Sequence, residues 1–156
     1  MNVGSFPNLQ SVTHSSEGVA KMMADYEMFL KPWGNFVIEG AGHGGQVLKR
    51  LFQKHPDTLK LFPEFKSISY VELGKHGKTL LEKLGELLWA KGNHAAIIQK
   101  LATSDVKTDK IIHKHFRQIT GVLMEVMKDY GFLGSDDWKK LERVMKNIAN
   151  DIRLTS

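Results

Sequence analysis

Residues 101 to 110, LATSDVKTDK, place an acid where packing chemistry would not. If the segment is helical, Asp105 lies one turn beyond Leu101 and shares the face of Ile97 and Ile98, so a carboxylate interrupts a run that otherwise reads as core. A carboxylate there is a hard, anionic oxygen donor for a metal. Its bland alternative is a helix that shifts or frays so that the acid meets water, as most aspartates do. His76, in KHGKTLL, read by itself is a histidine on a helix face with no ligand duty. His94 stands about three turns before Asp105 and cannot take its place without moving the backbone. His113 and His115, two apart, point to different sides of a helix and make a poor zinc pair. His43 and His55 read as surface or inter-helix hydrogen-bonding residues. No Ser–His–acid arrangement, usefully spaced carboxylate pair or phosphate loop supports an unrelated enzyme.

GAGHGG at 40 to 45 satisfies G-x-G-x-x-G through Gly40, Gly42 and Gly45 and precedes a helical stretch. A dinucleotide site also needs a parallel βαβ unit, and residues 75 to 152 offer no further strands. The better reading is mechanical: small residues on a helix admit a close neighbour, and Gly77 supplies a matching small surface.

The elements that must position these residues are helices. Phe29, Leu30, Trp33 and Val37 repeat at three and four, as do Val47, Leu48, Leu51 and Phe52. Leu80, Leu81, Leu84, Leu87 and Leu88 form a stripe that KGN at 91 to 93 ends, and Ile97, Ile98 and Leu101 begin a shorter helix. Ile119, Val122, Leu123, Val126 and Met127 form the next stripe, closed by GFLGSDD, and Trp138, Leu141, Met145, Ile148 and Ile152 the last. SISYVEL, residues 67 to 73, alone looks strand-like and, having no partner strand, is expected to be a loop or a helix entrance. An all-α domain follows. At 156 residues one domain is expected, and residues 1 to 22, rich in Ser, Gly and Asn and without a secretory pattern, are expected to form a mobile arm before it. The complete absence of cysteine removes thiolate and iron–sulfur chemistry and suits a reducing cytoplasm. A formal charge of +5, dispersed with no basic block, argues against nucleic acid, and no apolar run is long enough for a membrane span.

GHGGQVLKRLFQKHPDTLKLFPEF at 42 to 65 and KHGKTLLEKLGELLWAKGNHAAIIQKLATS at 75 to 104 closely resemble the vertebrate globins, and MADYEMFLKPWG at 23 to 34 is similar to the start of the oxygen-storing globins of fish. The resemblance runs from residue 23 to about 152. It rests on Arg50-Leu51-Phe52, His55-Pro56, Leu61-Phe62-Pro63 and Lys75-His76-Gly77. It implies a globin fold over residues 23 to 156 with about seven helices. Only fourteen positions separate Phe62 from His76, too few for the short helix that such globins place between them.

The resemblance also implies a cofactor, haem b, and a small diatomic ligand such as dioxygen, with a cytoplasmic, monomeric protein as the expected setting. Phe62 matches the residue that stacks on the haem and His76 the distal histidine. Leu48, Phe52 and Leu80 would line the distal pocket, with Leu101, Ser104, Ile111 and Ile119 on the proximal and inner sides. Asp105 stands where the family's iron-ligating histidine belongs, and Asp109 replaces the downstream histidine that approaches a propionate. Oxygen storage requires ferrous iron, whereas a carboxylate favours the ferric form. Three functions are therefore weighed: an oxygen-storing haem globin, haem-based peroxide or nitrite turnover on ferric iron, and a haem-free globin scaffold.

Overall fold

The computed structural model describes residues 16–61, 63 and 67–155. Among these the chain forms six α-helices, one 3-10 segment and no strand: α1 (Ser16–Ile38), α2 (Gly40–Lys54), the 3-10 segment (Pro56–Leu61), α3 (Tyr70–Trp89), α4 (Ala95–Thr103), α5 (Lys107–Asp129) and α6 (Ser135–Thr155). The helical stripes and their stops stand where the sequence puts them. α1 begins at Ser16, within the stretch expected as an arm, and residues 1 to 15 lie outside the described residues. Between Leu61 and Tyr70 no α-helix occurs among the described residues.

Tyr26, Phe29, Trp33 and Phe36, spaced three and four apart, bury one face of α1, which runs through Pro32 without ending. Ser69 accepts a hydrogen bond through its hydroxyl from the Glu72 N–H at 3.2 Å and so starts α3. SISYVEL is thus a helix entrance, because the chain is helical from Tyr70 onward. At the other end of the core, Gly131 takes a positive φ of 80° and closes α5: its N–H meets the Lys128 carbonyl, and the Phe132 N–H reaches back to Met127 at 2.8 Å.

The tightest packing is α2 against α3. A β-carbon on Gly44 would collide with the backbone carbonyl of Gly77, and one on Gly77 would collide with that of Gly44. Glycine at both positions is what lets the two backbones touch. Gly42, by contrast, faces open space, so G-x-G-x-x-G is not the functional unit of this segment; α2 runs straight through it as helix. The remaining helices close round one buried cluster that draws on all of α1 to α6.

Candidate functional site

Leu48 and Phe52 of α2, Leu80 of α3, Leu101 of α4, and Ile111 and Ile119 of α5 come together in that cluster, Phe52 only partly buried at its edge. Amphipathic periodicity brings them there, each on the inward stripe of its helix. Leu80, Ile111 and Ile119 are fully covered and Leu101 is 2% exposed, so the protein itself fills the space against them. His76 lies one turn before Leu80 on α3 and is half-buried, adjacent to the Gly77 crossing that fixes its backbone. Phe62 lies outside the described residues.

The acid of the opening stretch does not share a helical face with Leu101. α4 ends at Thr103, Ser104 and Val106 are extended, and Asp105 between them is exposed. The half-buried Ser104 is occupied with this turn, its hydroxyl accepting the Val106 N–H at 3.0 Å. An aspartate at this end of a helix also opposes the negative pole of the helix dipole, which disfavours another turn. Asp109 takes the opposite course. It is 7% exposed in the first turn of α5, and its Oδ1 has no hydrogen-bond partner. The positive pole of α5 offsets part of the cost of burying that charge.

Three other histidines are committed elsewhere. His43 donates through Nδ1 to the Phe36 carbonyl at 2.6 Å and stacks on the Phe36 ring, joining α1 to α2 as an inter-helix residue. His115 lies at the kink within α5, 3.3 Å from Gln118. His94, 1% exposed, belongs to a network with no short-range sequence signal, because its partners are far away in the chain. The Gly92 N–H can only donate, so His94 Nε2 is an acceptor and Nδ1 carries the proton that it gives to Asp151 at 2.8 Å. Tyr26 then donates to Nε2 at 3.1 Å and accepts from Asn147 at 2.9 Å. This ties α1, the start of α4 and α6 together with a neutral imidazole.

Burial, opposed by the Asn147 hydrogen bond and reinforced by the nearby Asp151 charge, pushes the Tyr26 hydroxyl up to about 12. A folded-state value above the unfolded one means stability that is complete below pH 10 and lost as pH rises toward 12. Tyr26→Phe is therefore expected to lower stability at neutral pH while flattening its decline across that alkaline window, as followed by urea unfolding at successive pH values.

Sequence comparison places this architecture. The globin family model matches residues 45–152. Myoglobin of Danio rerio is 45% identical over 136 residues, covering 83% of this chain and 92% of the relative. Myoglobins of Cyprinus carpio and Makaira nigricans are each 46% identical over the same coverage. Six helices around one core, two glycines at the α2–α3 crossing and a histidine beside the second of them agree with what those comparisons say: the chain belongs to the globin family.

Proposed function

We propose that this protein is a haem-binding globin of the oxygen-storing, myoglobin type in which His76 is the imidazole that meets the iron. The observation that carries the reading is the convergence of Leu48, Leu80, Leu101, Ile111 and Ile119 from four helices in one core, with the half-buried His76 one turn before Leu80 on α3. A flat apolar macrocycle needs such walls, and an imidazole on one side. The walls and that imidazole suit haem; the opposite donor does not, because Asp105 is a carboxylate on an extended, exposed segment. Haem, when bound, supplies an iron that takes diatomic gases. What the chain contributes is apolar enclosure, exclusion of water by the leucines and isoleucines, and the His76 imidazole. With no imidazole opposite, that ring is better placed to ligate the iron than to donate to a gas, and the ferric state gains at the expense of ferrous oxygen storage. The buried Asp109 carboxylate, whose Oδ1 has no partner, would add repulsion toward the anionic propionates. A monomer in the cytoplasm is the setting this reading implies; no helix among the described residues is long and apolar enough to cross a membrane.

A second reading is favoured by the complete covering of Leu80, Ile111 and Ile119: a globin scaffold without haem, its core closed by its own side chains. One titration separates the two. Adding ferric haem to the purified protein is expected to give a sharp Soret band at one equivalent that survives gel filtration. A broad band lost on the column would establish the haem-free scaffold instead.

A further inference from the structure

A groove of about 760 Å³ runs between α1 and α3, on the side of α3 that carries Trp89 rather than His76. This volume falls within the range typical of small-molecule sites, roughly 300–1,000 Å³. Its walls are Trp33, Gly34, Val37, Leu81, Gly85 and Trp89. Two observations mark it as more than a gap between helices. The Trp33 side chain is 4% exposed overall, but its indole N–H, which has no hydrogen-bond partner among the described residues, is not among the buried polar atoms and stays open to the groove. An indole N–H can only donate, so it offers a point of attachment for an acceptor. The donor sits against Gly85, where a β-carbon would come within 2.8 Å of Trp33 Nε1 and cover it. Glycine at 85 therefore keeps the N–H uncovered in a groove both residues line.

The second observation is Trp89, 63% exposed, a large apolar side chain at the groove's rim. Its indole offers a flat wall for stacking. The charges at the rim cancel: Lys83 pairs with Glu86 at 3.6 Å, leaving one lysine, Lys78, and one acid, Glu82. Neither an anion nor a cation is selected.

We infer that this groove binds a neutral, flat aromatic or polycyclic molecule carrying one hydrogen-bond acceptor, such as an aryl ketone, with the acceptor on Trp33 Nε1 and the ring system between Val37, Leu81 and Trp89. None of Leu48, His76, Leu80, Leu101, Ile111 and Ile119 lines the groove, so it is distinct from the site proposed for haem.

The neutral naphthyl ketone prodan is a suitable probe, measured by equilibrium dialysis and by its emission maximum, beside 2-dimethylaminonaphthalene, which lacks the ketone. Wild type should bind one prodan with a blue-shifted emission. Gly34→Leu, at an exposed position where a β-carbon meets nothing within 4 Å, projects its side chain into the groove, and its urea unfolding midpoint checks that the fold is kept. It is expected to weaken binding at least tenfold. Trp33→Phe keeps the ring and removes the donor, costing prodan about fivefold, the worth of one hydrogen bond, and the ketone-free analogue nothing. Saturating ferric haem should leave the dialysis constant unchanged. Absence of binding, wild-type affinity in Gly34→Leu, or displacement of prodan by haem would each overturn the assignment, the last by placing the probe in the site proposed for haem.

Discussion

Gly77→Ala is expected to cost about 3 kcal/mol of stability, the upper part of the usual range for overpacking. The new methyl group would meet the backbone of Gly44, not the end of a flexible side chain, so α2 and α3 must separate along their whole contact. That contact holds Val47, Leu48 and Leu51 against Leu80, Leu81 and Leu84, and separating the helices loosens all of them. Gly44→Ala should behave alike. Gly42→Ala serves as the control: it lies in the same helix, exposed, with nothing near its absent β-carbon, and should gain roughly 0.5–1 kcal/mol from helix propensity. Urea unfolding of the three variants gives the comparison, and equal costs at positions 42 and 77 would show that the crossing does not depend on bare backbone.

The second large effect is on cofactor retention. Asp105→His is expected to slow haem loss about 100-fold, at or beyond the roughly 10–100-fold that changes merely adjacent to a metal's ligands produce. Two consequences of the substitution act together. It replaces a hard oxygen donor by an imidazole, a good ligand for iron in both oxidation states. It also removes a negative charge from the C-terminal end of α4, where the helix dipole disfavours it, so that another turn can form beyond Thr103. The readout is the rate of haem transfer to an excess of an acceptor apo-globin, together with a gain in far-ultraviolet helicity on haem binding. Unchanged transfer would mean that the extended Ser104–Val106 segment holds residue 105 in solvent regardless of its side chain.

Much of this architecture was legible because helices announce themselves by period. The stripes of Leu80 to Leu88 and Ile119 to Met127 recur every three or four residues, and the stops at Gly92 and Gly131 follow from positive φ angles of 102° and 80° that glycine adopts without strain. The entrance to α3 was ambiguous in SISYVEL, although Ser69 and Glu72 have the S-x-x-E spacing of a capping box, the signal that resolves it. Asp105 could not be placed from the sequence, since a one-turn difference in where α4 ends moves it between core and water. Ser104 decides it through a local hydrogen bond that competes with helix. The Tyr26–His94–Asp151 network was invisible for another reason: its members lie in three helix-scale segments far apart in the chain, and no local pattern links them. Leu48, Phe52, Leu80, Leu101 and Ile119 sit on stripes visible in the sequence, whereas Ile111 and the grouping of all six into one site come from the resemblance; what neither encodes is how closely they pack without a ligand.

The direct test of His76 as the group that meets the iron is the absorption spectrum of the ferric-haem complex of His76→Leu beside wild type. Leucine keeps an apolar wall and removes the imidazole, so the sharp Soret band should broaden and haem should leave on gel filtration. A His76→Leu spectrum identical to wild type, with haem equally retained, would contradict that role and place the iron's ligand elsewhere in the chain.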